Sequence, residues 1–190
     1  HCTAHQLVQF AIMGNAYAKE VLGVKSPSIG LLNVGEEELK GHSVLQEAAG
    51  LLRRAKTALN YHGFIEGDDI AKGTVDVVVT DGFTGNVALK TIEGWVNFIM
   101  SMLKDVFQSS WLARVGYLLS LSAFKGIRNQ MNPKKHNGAM LIGLGEIAIK
   151  SHGSADAYAF SNAIHVAARM VSHDLNQQIR DSLIQKESRA

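Results

Sequence analysis

The stretch VDVVVTDGFTGN at positions 75–86 decides the fold class. Val75 to Thr80, with Asp76 near its start, is rich in β-branched residues and carries valines on both faces, the pattern of a strand buried on both faces. The turn that follows carries Gly82 and Gly85, and apolar residues then recur at helical spacing from about Val87 to Phe107. A buried strand running through a glycine-bearing turn into a helix is the unit of a parallel α/β sheet. Working outward, Leu7 to Leu22 reads as a helix stopped near Gly23, Ile29 to Leu32 as a strand, and Val44 to Ala55 as a helix. Tyr61 to Ile65 reads as a strand and Gly67 to Lys72 as one helical turn. Downstream, Trp111 to Met131 reads as a helix ended by Pro133. Ala139 to Ile142 and Glu146 to Ile149 read as strands around a Gly-Leu-Gly turn, and a last helix starts near Asp156. The expectation is an α/β fold: three layers, α/β/α, with a mainly parallel sheet and a protruding amphipathic helical hairpin over about 95–135.

Composition sets the outer bounds. The chain has 190 residues, 46% of them hydrophobic, enough for one domain with a sizeable core. A net charge of +2 gives no reason to expect a nucleic-acid partner. The one cysteine, Cys2, has no internal partner for a disulfide, which suits a reducing cytoplasm. The chain opens at His1 almost directly in a helical pattern. That opening leads us to expect a C-terminal part of a longer domain.

Ligands of open α/β sheets sit beyond the carboxyl ends of the strands, where loops feed helix N-termini whose free amides favour anions. Three junctions carry suitable residues. At the first, Asp81, Gly82, Thr84, Gly85 and Asn86 follow the strand, Thr84 or Asn86 can cap the helix, and Lys90 lies one turn further on the Asn86 face. At the second, Lys150 and His152 offer a fixed cation and a titratable base, Gly153 admits close approach, and Ser154 suits an N-cap. At the third, Asn33 and Gly35 follow the 29–32 strand. Each is equally compatible with an ordinary capped turn, and His152 with a loop hydrogen bond. The remaining histidines lack metal spacing, and no P-loop, Gly-x-Ser-x-Gly elbow or complete dinucleotide fingerprint occurs, so neither metal nor cofactor is expected.

Between Asp105 and Glu146 the sequence has no acidic residue. Trp111, Leu112, Val115, Leu118 and Leu119 lie there among Arg114, Lys125, Arg128, Lys134 and Lys135. The apolar run is shorter than the roughly 20 residues that span a bilayer. An amphipathic helix of this kind can lie in an anionic membrane interface, pack in a hairpin or dimer, or receive an acidic protein.

Several long motifs, LVQFAIMGNAYA (7–18), IGLLNVGEEELKG (29–41), VDVVVTDGFTGNVALKTIEG (75–94), Gly138-Ala139 before LIGL, and IKSHGSADAYAFSNAI (149–164), stand in an order that resembles the phosphate acyltransferases of bacterial fatty acid and phospholipid synthesis. The resemblance implies transfer of a long-chain acyl group from acyl carrier protein to inorganic phosphate. It also implies a homodimer in the cytoplasm, held peripherally on the inner face of the cell membrane through an apolar tip near 109–124. That family has a further N-terminal region with a DxMGGD-like motif, so the chain by itself is expected to be inactive. Phosphate can attack the thioester directly, so no covalent nucleophile is needed. Lys150 and Lys90 would supply charge, and His152 would orient phosphate or protonate the leaving thiolate. A phosphotransacetylase-like enzyme using acyl-CoA, and a non-catalytic dimerising and membrane-docking module, are the alternatives.

Overall fold

A computed structural model describes residues 2–54, 59–122, 126 and 137–187. In chain order it holds α1 (Ala4–Glu20), β1 (Ser28–Leu32), α2 (Ser43–Arg54), β2 (Asn60–Ile65), α3 (Gly67–Lys72), β3 (Val77–Val79), α4 (Gly82–Gln108), α5 (Trp111–Leu119), β4 (Ala139–Met140), β5 (Ile149–Lys150), α6 (Ala157–Ser172) and α7 (Leu175–Glu187). The fold is α/β, as the sequence pattern leads one to expect. Strands β2, β1 and β3 form a parallel sheet in that order, with Leu32 opposite Ile65 and Leu31 opposite Val79. The carboxyl ends of all three strands therefore lie along one edge.

Helix α1 starts at a capping box in which Gln6 N–H donates to Thr3 Oγ1 at 3.2 Å and Thr3 N–H donates to Gln6 Oε1 at 2.9 Å. This satisfies two amide groups that a helix end otherwise leaves open. Leu7, Val8, Ala11 and Ile12 are buried with Ile29, Leu31, Ala48, Ala49, Leu52, Phe64 and Val79 in the main core, so α1 and α2 pack over the sheet. Each fully buried aliphatic side chain contributes roughly 1.5–3 kcal/mol. The other side of α1 carries Met13 and Ala16, which meet Met170, Leu175 and Ile179 of α6 and α7 in a second core.

Strand register depends on two local devices. The β1–β2 pairing slips one residue between Ile29 and Gly30, and Gly63 at the slip has φ +127°, a conformation that favours glycine. At the start of the sheet, Asp76 accepts from Ser28 N–H at 2.8 Å and from Ser28 Oγ at 2.7 Å, while its own N–H donates to Ser28 Oγ at 3.0 Å. That lock, with Asp81 engaged as a cap at the far end, leaves β3 three residues long where the apolar run suggests six.

Other boundaries also move. Helix α4 starts at Gly82 rather than near Val87. The pair β4–β5 is an antiparallel ribbon separate from the parallel sheet, shorter than the sequence suggests and displaced so that Lys150 belongs to β5. The helix expected over Trp111 to Met131 is described as α5 to Leu119, and 123–125 and 127–136 lie outside the described residues. Helix α4 is 27 residues long with no buried residue, and α5 folds back on it through a Phe107–Tyr117 ring contact at 5.2 Å.

Gly14 sets how closely α1 approaches β3, because a Cβ there would stand 2.6 Å from Val77 Cγ1. Gly14→Val is expected to destabilise the chain by about 1–3 kcal/mol through overpacking. Adding Val77→Ala should recover part of that loss. Denaturant unfolding of the single and double variants measures it, and an unchanged midpoint for Gly14→Val would show that this contact does not set the spacing.

Candidate functional site

At the carboxyl end of β3, Asp81 caps α4. Its Oδ1 accepts from Phe83 N–H and Thr84 N–H, both at 3.0 Å, and its Oδ2 accepts from Thr84 Oγ1 at 2.5 Å. The Thr84 hydroxyl, then the Thr84 and Phe83 amides, hold the Asp81 carboxyl below its ordinary range. The capping role expected of Thr84 or Asn86 therefore belongs to Asp81. A side chain that takes the first amides, with its own negative charge, also removes the simplest anion site at this helix head. Gly85 is packed closely, since a Cβ there would lie 3.0 Å from Thr80 Cγ2. Gly82 and Asn86 are exposed at the first turn. Lys90 is exposed and pairs with Glu93 at 2.7 Å.

At the carboxyl end of β1, Asn33 is buried and spends its amide nitrogen on the loop, donating to Gly35 O and Lys40 O, both at 3.1 Å. Its Oδ1 lies against Gly41, where a Cβ would stand 2.0 Å away. Gly35 is covered by the Lys40 side chain, which pairs with Glu37 at 2.8 Å. Asn33 thus fixes the shape of the 34–41 loop, and its donors are committed there.

The 150–154 segment leaves the antiparallel ribbon, not the parallel sheet. His152 N–H donates to Asn137 Oδ1 at 2.9 Å. Asn137, itself buried, donates through Nδ2 to Ser151 Oγ at 2.9 Å and to Ala159 O at 2.8 Å. One amide side chain thereby ties the loop to the first turn of α6. Ser154 is not the cap expected of it. Asp156 caps α6 by accepting from Ala159 N–H at 2.9 Å, and Ser154 Oγ lies 2.8 Å from His152 Nδ1. Lys150, His152 and Gly153 are exposed.

Lys90 holds the Glu93 carboxyl below its ordinary range, and a charge on His152 would be felt there too. The early turns of α4 and the loop after β5 therefore lie within electrostatic range of each other, without a described contact between them. Asn33 and Gly35 sit on the sheet edge with Asp81 but have no described contact with the His152 loop. Glu93 and Asn137 are the residues that the sequence reading misses. Glu93 had a signal, its i+3 spacing from Lys90, whereas Asn137 shows itself only once the chain has folded back.

An open cleft of about 360 Å³ between the Gly145–Ile147 turn and α7 shares no lining residue with these junctions. Among the described residues, no group of three or more His, Cys, Asp or Glu side chains is placed to hold a metal ion. Among the same residues, no helix is long and apolar enough to cross a membrane.

A family model described as fatty acid synthesis protein matches residues 1–178. The phosphate acyltransferase of Gluconobacter oxydans is 53% identical over 184 residues, covering 97% of this chain and 50% of its own length. That of Rhodospirillum centenum is 52% identical over 182 residues, covering 96% of this chain and 51% of its own. That of Paramagnetospirillum magneticum is 51% identical over 179 residues, covering 94% and 51%. The chain spans about half the length of these relatives. With the family model matching almost the whole chain, it belongs to the fatty acid synthesis protein family.

Proposed function

We propose that this chain is part of an acyltransferase that moves a long-chain fatty acyl group from acyl carrier protein onto inorganic phosphate, giving an acyl phosphate for phospholipid synthesis. The observation that carries the reading is the identity of about half its residues, over nearly its whole length, with proteins named phosphate acyltransferase. The chemistry of Lys90, Lys150 and His152 at the strand-end junctions is compatible with it. Phosphate is itself the nucleophile, so the protein's task is to place a dianion against a thioester carbonyl and stabilise the charge that grows on oxygen.

Side chains, more than helix heads, supply the charge in this reading, because Asp81 and Asp156 already cap α4 and α6. Lys150 clamps phosphate, Lys90 adds positive potential beside Asn86 and Gly82, and His152 acts at the reacting centre. The carrier protein and a second copy of the chain are the proposed partners.

The exposed face of α5 supports peripheral contact with an anionic membrane. Trp111 is 72% exposed and Leu119 81%, with Leu112, Val115 and Leu118 also outward, while Ser110 caps the helix through Ala113 N–H at 3.1 Å. Such a face gains by entering a headgroup layer, and nearby cations add about 1 kcal/mol each on anionic lipid.

The reaction is tested by placing this chain in the Rhodospirillum centenum relative in exchange for the 182 residues it matches, and assaying chimera and chain side by side. Phosphate-dependent release of free carrier protein from palmitoyl-ACP is expected from the chimera, faster than thiol release from palmitoyl-CoA. Preference for the CoA donor would favour the phosphotransacetylase-like alternative. Release from neither donor would leave the docking module as the better reading. In the chimera, Lys150→Ala should raise KM for phosphate by about tenfold or more, as expected for one lost charge-assisted bond. An unchanged KM would remove Lys150 from the phosphate site.

Membrane contact is tested separately. Leu118→Glu with Leu119→Glu should abolish co-sedimentation with vesicles containing phosphatidylglycerol while leaving the rate in solution unchanged. Retained co-sedimentation would assign that face to protein packing.

A further inference from the structure

The two ring nitrogens of His152 are not equivalent. Nδ1 receives the Ser154 backbone N–H at 3.2 Å and lies 2.8 Å from Ser154 Oγ. A backbone amide can only donate, so Nδ1 must present its lone pair to it. The serine hydroxyl, whose proton rotates, can point at the same nitrogen. An imidazole whose Nδ1 is an acceptor is neutral and carries its proton on Nε2. The ring is held from its backbone end as well, by His152 N–H on Asn137 Oδ1 at 2.9 Å, and Asn137 is anchored in turn on Ala159 O at 2.8 Å.

We propose that His152 serves the reaction as a neutral hydrogen-bond donor through Nε2, and that Ser154 is the positioning residue that fixes this tautomer. The inference rests on the acyl-transfer reading and sharpens it. A neutral imidazole would become an imidazolate if it gave up its Nε2 proton, so His152 keeps that proton throughout. One phosphate oxygen forms a bond to the thioester carbonyl carbon, and the Nε2–H hydrogen-bonds the carbonyl oxygen as negative charge grows there. The carbon–sulfur bond then breaks, its electron pair leaves with sulfur as thiolate, and the thiolate takes its proton from solvent. His152 is on this account the electrophilic partner of the carbonyl, and the role of acid to the leaving group lapses. Among the described residues, Lys150 on β5 and Asp156 at the head of α6 flank the loop, and Glu93 of α4, paired with Lys90, lies within electrostatic range of it.

The tautomer is read directly from nitrogen-15 spectra of the histidine-labelled chain, with the His152 signals identified by their loss in His152→Gln. The Nε2–H tautomer is expected for the neutral ring. An Nδ1–H form would overturn the inference whether or not acyl transfer is found, because this spectrum needs no turnover. Ser154→Pro, which lacks the amide hydrogen, should populate the Nδ1–H form, and Ser154→Thr should keep the wild-type spectrum. An unaltered tautomer in Ser154→Pro would remove Ser154 from its role. In the active chimera, His152→Ala should lower kcat by about 100- to 1,000-fold, the usual cost of one lost oxyanion donor. His152→Gln, which can place an amide donor near Nε2, should recover at least about tenfold of that loss. Equal losses in the two variants would overturn the donor role.

Discussion

Helix α1 is buried on two sides, and both cores depend on it. One side lays Leu7, Val8, Ala11 and Ile12 over the sheet, and the other offers Met13 and Ala16 to α6 and α7. The close seat of Gly14 on Val77 sets the distance between α1 and β3, the strand that ends in Asp81. Its hold on Met170 and Leu175 sets the place of α6, and α6 carries Ala159, the anchor of Asn137 and so of the His152 loop. The two halves of the candidate surface reach each other through one helix whose interior positions are small or aliphatic.

Much of the fold was legible because burial leaves a period in the sequence. Leu7 to Ala16 repeat at helical spacing, and Ile29 to Leu32 is apolar throughout, so element type and order followed directly. Boundaries were less legible where a polar side chain competes with the pattern. Asp76 and Asp81 look alike as residues flanking a valine run, yet one locks strand starts together through Ser28 and the other begins a helix. Thr84 and Asn86 are good capping residues in isolation. They lost to Asp81 because an aspartate already stood at the position from which a carboxylate reaches two amides.

The candidate site was legible as residue types and not as a network. Lys90, Lys150 and His152 were visible at their junctions, but nothing in their spacing brings His152 within electrostatic range of Glu93 or hangs its backbone on Asn137. Glu93 and His152 are separated by an excursion of the chain through α4 and α5, and Asn137 and His152 by the β4–β5 ribbon, so a local reading has no access to either relation. Asn33 shows how a local duty can share a strand-end amide. A buried amide at a strand end reads as a ligand contact; the backbone carbonyls of its own loop, at Gly35 and Lys40, take both of its protons, while its buried Oδ1 has no partner among the described residues.

The two capping aspartates constrain any mechanism on this surface. A helix head attracts an anion because its first amides are unpaired and its dipole is positive there. Asp81 and Asp156 satisfy amides of that kind with carboxylates, so a dianion approaching α4 or α6 meets negative charge first. Lys90 is partly neutralised by Glu93 in the same way. Among the described residues at these junctions, Lys150 and the outward nitrogen of His152 are the cation and the donor that the proposed reaction uses, and the carboxylate caps direct that role to side chains rather than to helix heads. In that proposal, interactions that strengthen as charge moves to the carbonyl oxygen are the ones that act on the rate, which is where binding energy accelerates a reaction.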